Sequence, residues 1–200
     1  MVFETTVMDV IQEQTGINPN DPISVGGAAL AAEFLGSQEQ KTAVALLTFY
    51  QQLRHEQSGE KYDAVGNYQL ARQEYREALK WANIGTEFGQ SQAADLHSKI
   101  AYGLSIEGFA AQVAANRVSD QALKDDLLGA SRGKFREASG SAGRAGDIAP
   151  TPNGKALAYG QQADLLRQAG DISAACSTAK KAYGIQADSV TQGYVDSNCK

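Results

Sequence analysis

The 200-residue sequence is poor in residues that interrupt helices or bind metals: it has four prolines, two cysteines and two histidines. The prolines stand only at positions 19, 22, 150 and 152, so residues 23–149 contain none. Because proline breaks or kinks a helix interior, a helical stack can run unbroken through that stretch. Alanine, the strongest helix former, occurs 32 times, whereas the β-branched residues typical of strands are few. The composition predicts an all-α protein.

Basic charge and long apolar runs are also lacking. The net charge is −5 and the pI is near 5.1, which argues against a nucleic-acid binder and against docking on an anionic membrane. The most apolar run, residues 23–35, is shorter than the roughly 18 residues of a membrane span, so no membrane insertion is expected. Residues 1–14 carry no Lys or Arg and do not resemble a secretory signal. We therefore expect a cytoplasmic protein.

The residue types of a catalytic or metal site do not come together in the sequence. His55 and His97 have no acidic residue or second histidine at a ligand spacing of three or four. The glycines at 140, 143 and 146 have a phosphate-loop-like spacing, but a helix rather than a strand precedes them, which favours a flexible connection. We expect a protein that is not an enzyme and has no catalytic residue, no metal and no cofactor.

The two cysteines, Cys176 and Cys199, form no CxxC pair and stand near no histidine. They allow two interpretations. One is a disulfide that fixes the C-terminal tail to the last helical hairpin, and the other is a buried helical thiol beside a free thiol in the tail. The spacing does not decide between them.

Helical periodicity and capping residues predict about nine helices. Their starts are marked by Ser37, Asn67, Ser91, Ser119-Asp120, Thr151-Pro152, Asp171 and Asp188 or Ser189, and Ser58-Gly59 and Gly140 are expected to end helices. The predicted helices cover about 5–14, 22–36, 37–57, 67 to 84 or 88, 92–115, 120–138, 152–169 and 171–184, with a short last helix after 188. Short turns between successive helices predict antiparallel packing.

Two segments share one pattern of spacing. Gly66-Asn67-Tyr68 is followed by Ala71, Tyr75 and Ala78, and Gly170-Asp171-Ile172 by Ala175, Ala179 and Ala182. The pattern resembles the turn and second helix of a tetratricopeptide repeat, in which Gly makes the turn, Asn or Asp caps the helix and Ala lets two helices touch. The preceding helices fit in part, through Tyr159, Ala163 and Leu166 before Gly170 and Gly59 and Tyr62 before Gly66. A third, weaker match is Ser131, Phe135 and Ala138.

The resemblance implies a degenerate, irregular α-solenoid of antiparallel helical hairpins with four regions. Residues 1–36 are N-terminal helices that act as a cap or a contact segment, 37–138 form the hairpin array, 139–151 form a flexible Gly-rich loop, and 152–200 form a C-terminal hairpin with a short last helix and tail. Such arrays bind partners along a groove lined by their first helices. The groove candidates are Gln51, Gln52, Arg54, His55, Gln161, Gln162 and Asp164. Trp81 is an additional candidate contact residue, and Arg132, Lys134, Arg136 and Arg144 form a basic patch.

These features favour a non-catalytic scaffold or adaptor that binds a protein or peptide partner. The alternative is a structural subunit of a larger assembly, which self-association of the apolar N-terminal helix would support. A small-molecule binder or enzyme is a third class, but no group of residues in the sequence indicates it.

Overall fold

The computed structural model describes residues 38–200, with side chains from position 44 onward, and this part of the chain is all-helical. The predicted all-α class is thereby confirmed for these residues, which form seven helices and no strand. The other two predicted helices, over 5–14 and 22–36, lie outside the described residues, as do the N-terminal region 1–36 and the Ser37 cap. The helices are α1 (Gln38–Ala64), α2 (Tyr68–Trp81), α3 (Glu87–Ala115), α4 (Gln121–Ile148), α5 (Pro152–Gln168), α6 (Ile172–Ile185) and α7 (Ser189–Asn198).

Capping chemistry sets most of the helix starts. The side chains of Asn67, Asp120, Thr151 and Asp188 each accept a hydrogen bond from a backbone N–H of the first turn, as predicted. The Ser91 prediction is wrong, because α3 already begins at Glu87 and Thr86 caps it. The residue before α6, Asp171, makes no side-chain cap hydrogen bond.

The helix ends predicted at Ser58-Gly59 and at Gly140 are wrong. In both places the glycines lie inside a helix, at its contact with a neighbouring helix, and do not interrupt it. Helix α1 continues past Ser58-Gly59 to Ala64, and α4 continues to Ile148 through most of the predicted flexible loop. A Cβ atom added at Gly143 would lie 2.7 Å from Nε2 of Gln162 in α5. The missing side chains therefore let α5 approach α4 closely, and this contact offsets the low helix propensity of glycine.

Successive helices pack against each other in chain order, and α7 also contacts α5. Gly143 and Gly146 of α4 face Gln162 and Tyr159 of α5, respectively, so these two helices are antiparallel. The tight turns before α2 and α6 use Gly66 and Gly170, whose φ angles of 74° and 87° favour glycine. One buried cluster joins α2 to α5 and consists of Ala71, Tyr75, Ala78, Leu96, Ile100, Ala101, Leu104, Phe135, Ala138, Ala142, Leu165 and Ala169.

Aromatic rings cover helical glycines at several helix contacts, and Gly59 shows what this requires. Its Cα faces the ring of Tyr75, which is 1% exposed and donates a 2.6 Å hydrogen bond to Asp63. The buried, anchored ring has no room to move away from an added methyl group.

We expect Gly59→Ala to lower the free energy of unfolding by about 1–2 kcal/mol, because overpacking outweighs the better helix propensity of alanine. The matched control is Gly129→Ala in α4, where an added Cβ would meet nothing within 4 Å. It should raise the free energy of unfolding by up to about 1 kcal/mol. Urea denaturation followed by circular dichroism measures both changes. Equal effects of the two substitutions would contradict the close packing at Gly59.

Candidate functional site

Three of the predicted contact residues are not accessible. Gln51 is 1% exposed and Trp81 is 5% exposed, so neither can contact a partner on the surface of the folded chain. Gln52, also a groove candidate, is 2% exposed. The predictions that Gln51, Gln52 and Trp81 contact a partner are therefore wrong, because all three side chains are buried in the folded chain, and no local sequence pattern encodes that burial.

The remaining groove candidates lie on two helices that do not pack against each other among the described elements, α1 and α5. On α1, Arg54 is exposed, whereas Nδ1 of His55 lies 2.7 Å from Oε2 of Glu74 in α2. On α5, Gln161 and Gln162 are half-buried and Asp164 accepts a 2.8 Å hydrogen bond from Asn198. The structure therefore does not bring these polar residues together into one groove.

The four basic residues of α4 also do not form one patch. At about 100° per residue, Lys134 points away from Arg132. Lys134 pairs with Glu107 at 2.8 Å and Arg136 pairs with Asp171 at 2.9 Å. Burial lowers the pKa of His97, and the positive charge of Arg144 lowers it further. Lys134 and Arg136 are thus partly neutralised, and binding of an anionic group by these four residues stays a prediction.

The cysteines are joined: Cys176 of α6 and Cys199, directly after α7, form a disulfide. The disulfide interpretation is therefore the correct one, and the bond holds the C-terminal helix against the preceding hairpin. The ring of Tyr194 in α7 also covers Gly160 of α5, and Asn198 donates a hydrogen bond to Asp164. The disulfide and these two contacts together hold α7 against the rest of the fold. Structural disulfides are typical of oxidising compartments, whereas the cytoplasmic location stays a prediction from the sequence.

An ion-pair network orients the long helix α3. Glu107 accepts a hydrogen bond from Arg72 of α2 on one carboxylate oxygen and pairs with Lys134 of α4 through the other. Burial acts to raise the pKa of Glu107, but the hydrogen bonds from Arg72 and Lys134 outweigh it and leave the pKa below its usual value. The network, in which Arg72 is almost fully buried, acts together with the buried row Leu96, Ile100 and Leu104 to set the rotation of α3 between α2 and α4.

With that rotation fixed, α3 presents a row of apolar side chains on its outer face. Tyr102, Phe109 and Val113 are 54%, 44% and 49% exposed, and Ile106 between them is half-buried. Their spacing of four, three and four residues places all of them on one side of the helix. We call these four residues the α3 stripe.

Most of the stripe lies where α3 extends past its shorter neighbour α2. Helix α3 has 29 residues and α2 has 14, and Tyr68 at the start of α2 lies opposite Gly103. Beyond that level α3 and α4 extend as a hairpin, and Ala115 is the one buried residue between positions 109 and 130. Leu123 of α4, 49% exposed, also lies in this extended part.

A second apolar surface is formed mainly by α1. Leu46, Phe49 and Leu53 are exposed, and their spacing of three and four residues places them on one face. The ring of Phe49 lies 6.1 Å from that of Phe88 at the start of α3, which is also exposed. We call these four residues the α1 surface.

The sequence analysis did not identify the stripe residues as a candidate site. The sequence does contain a signal for this site. Tyr102, Ile106, Phe109 and Val113 form a second apolar row, on a different face of the helix from the buried row Leu96, Ile100 and Leu104. The choice of the outward row, however, depends on Arg72 and Lys134 of the neighbouring helices.

Metal sites and membrane spans are two further kinds of feature that the described part of the chain does not show. Within residues 38–200, no three His, Cys, Asp or Glu side chains gather in a way that could hold a metal ion. In the same residues, no helix is both long enough and apolar enough to cross a membrane. No protein-family model matches the chain, and no curated protein matches it in sequence.

Proposed function

We propose that this protein is a non-catalytic interaction scaffold that binds a partner protein along the α3 stripe. The observation that carries the proposal is the row of exposed apolar side chains, Tyr102, Phe109 and Val113, on a helix whose rotation is fixed. Scattered exposed apolar residues are ordinary, but a contiguous row of them is typical of an interaction site.

The chemistry of the stripe indicates the kind of partner. Side chains spaced by four, three and four residues are the pattern by which one helix packs along another. A partner helix with apolar residues at the same spacing could lie along α3 and bury this row, and the aromatic side chains Tyr102 and Phe109 would be its anchors. The partner expected is therefore an amphipathic helical segment.

A solenoid-like array of hairpins, as the tetratricopeptide resemblance implies, is part of the proposal. It is supported by the packing of helices in chain order and by the contacts of α5 with α7, which join Gly160 to Tyr194 and Asp164 to Asn198. Both pairs are 34 residues apart, the length of one such repeat. Ala71 and Ala78 of α2 and Ala175, Ala179 and Ala182 of α6 are fully buried, as helix-contact positions would be.

Affinity capture from the native source tests the proposal. We expect Tyr102→Asp and Val113→Asp to reduce the captured partner at least tenfold, because each places a charge in the apolar contact. The control is Leu157→Asp on α5, which changes a leucine of similar exposure, 42%, and should leave capture unchanged. Capture that survives both stripe substitutions would overturn the assignment of the stripe.

The alternative function, a structural subunit of a larger assembly, is favoured by the same exposed row if the partner is a second copy. Light scattering of the purified chain distinguishes the two functions. A monomer across micromolar concentrations supports the adaptor, whereas a stable oligomer that Val113→Asp dissociates supports the assembly subunit.

A further inference from the structure

The α3 stripe has the same spacing in both chain directions. Its residues are separated by four, three and four positions, and this order is unchanged when it is read backwards. The apolar side chains alone therefore allow a bound helix to lie either parallel or antiparallel to α3. The charges at the two ends of the stripe distinguish these two directions.

The end of the stripe at Tyr102 is acidic. One turn before it, Nζ of Lys99 lies 2.6 Å and 2.9 Å from carboxylate oxygens of Glu56 and Glu60, both in α1. The same Nζ lies 3.1 Å from a carboxylate oxygen of Asp95 in α3. Three carboxylates around one ammonium group leave a net charge of −2 at this end of the stripe.

Two of these carboxylates are accessible to a partner. The side chains of Glu60 and Asp95 are 54% and 58% exposed. Asp95 stands seven residues before Tyr102, which is about two helical turns, so it lies on the side of α3 that carries the stripe. A cation of a bound helix that extends past Tyr102 would therefore meet Asp95 and Glu60.

The end of the stripe at Val113 is basic. Arg117 stands four residues after Val113, and its backbone N–H donates a 3.0 Å hydrogen bond to a carbonyl of the last turn of α3. It therefore continues the stripe side of the helix, and its side chain is exposed. The acidic residues that follow lie at the start of α4, where Asp120 caps the helix and Asp125 accepts a hydrogen bond from Gln121.

We propose that the partner is a helix that lies antiparallel to α3 along the stripe, with Asp or Glu in its first turn beside Arg117 and Lys or Arg in its last turn beside Asp95 and Glu60. This rests on the proposed binding of a partner along the stripe, and it adds the charge pattern and the direction of that partner. Helices are stabilised by acidic residues at their N-terminus and basic residues at their C-terminus, because these charges complement the helix dipole. Only the antiparallel direction brings both ends of such a helix to charges of opposite sign.

The small exposed area of the stripe favours a partner helix over a second copy of the chain. Tyr102, Phe109 and Val113 are 54%, 44% and 49% exposed, and an aromatic side chain has about 150–250 Å² to bury, so the stripe offers roughly 300 Å². A stable dimer buries about 800 Å² on each copy. Small interfaces are typical of transient contacts between different proteins.

Photo-crosslinking of the full chain to a synthetic helical peptide tests the direction of binding. The peptide carries leucines spaced by four, three and four residues, glutamates in its first turn and lysines in its last turn. A photoreactive phenylalanine replaces Val113 in one variant of the chain and Tyr102 in another. Because the charges at both ends favour one direction, we expect position 113 to crosslink to the N-terminal half of the peptide at least about fivefold more than to the C-terminal half, and position 102 to show the reverse.

A second peptide, with glutamine at every charged position, separates the effect of charge from apolar packing. Its leucines fit the stripe in both directions, so each position should crosslink to both halves equally. Arg117→Glu should weaken binding of the charged peptide about fivefold at low ionic strength, since it replaces an attraction by a repulsion, and should not change binding of the uncharged peptide. The matched control is Arg167→Glu at an exposed arginine of α5, which should leave both affinities unchanged. Fluorescence polarisation of labelled peptides measures these affinities.

Three results would overturn the inference. They are crosslinks of the charged peptide without the antiparallel preference, an unchanged affinity in Arg117→Glu, and a purified chain that is a dimer and releases its second copy as the peptide binds. If crosslinking has no preferred direction but Val113→Asp abolishes it, the inference fails and the proposed binding along the stripe stands. A chain that binds neither peptide, or binding that persists in Val113→Asp, contradicts both.

Discussion

Phe135→Ala should lower the free energy of unfolding by about 3–5 kcal/mol, the range for removing a large buried ring. The side chain is fully buried, and its ring covers Gly108 at 3.0 Å from an ideal Cβ position. It also meets the ring of Phe109 edge-on, with 4.9 Å between centroids. Ser131 donates a 2.8 Å hydrogen bond to the carbonyl of Gly108, which holds α3 and α4 at this distance. The cavity therefore cannot close, and the full cost of the lost contacts remains.

Chemical denaturation measures this loss, and Phe109→Ala is the control. Phe109 is 44% exposed, so its removal should cost less than half as much as the removal of Phe135. A loss below about 1 kcal/mol for Phe135→Ala would mean that the α3–α4 contact collapses onto the cavity, contrary to the close packing described.

Removing the disulfide should have the second large effect. Cys176→Ser with Cys199→Ser should lower the free energy of unfolding by about 3 kcal/mol, since the bond closes a loop across 23 residues and restricts the unfolded chain. The loss should be concentrated in α7, whose ten residues bury only Thr191 and Asn198. Without the bond, α7 is held mainly by Tyr194 over Gly160 and by the hydrogen bond from Asn198 to Asp164.

Denaturation with and without a reducing agent, combined with hydrogen exchange of residues 189–198, measures this effect. The reductant should destabilise the unmodified chain by the same amount as the double substitution and should not affect the substituted chain. Two titratable thiols in the unreduced protein, or equal denaturation midpoints with and without reductant, would contradict the bond.

The helix starts were largely predictable from the sequence because their signals are local. Asn67, Asp120, Thr151 and Asp188 each cap a helix through a hydrogen bond to the next turn, and Pro152 fits the first helical position. Such contacts involve residues three positions apart and need no knowledge of the remaining fold.

The helix ends were less predictable because glycine has two uses. Gly59 and Gly143 carry the usual signal of a break, but each lies inside a helix where a neighbouring side chain occupies the space of the missing Cβ. Only the partner residues, Tyr75 and Gln162, distinguish this use from a loop, and they come from other helices.

The candidate site was the least predictable part. Gln51 and Trp81 have residue types common at interfaces, yet tertiary packing buries both. The α3 stripe was visible as a helical row, but most of it lies beyond the start of α2, and the direction in which the row points depends in part on the ion pairs of Glu107. Neither property can be read from the residues of the stripe alone.

Photo-crosslinking tests the central claim, that the α3 stripe binds a partner, most directly. A photoreactive phenylalanine replaces Tyr102, and the control places it at Tyr183 of α6, a tyrosine that is also exposed. We predict a crosslinked partner from position 102 and none from position 183, with the crosslink lost when Val113→Asp is added. Equal crosslinking from both positions, or a crosslink that survives Val113→Asp, would contradict the account.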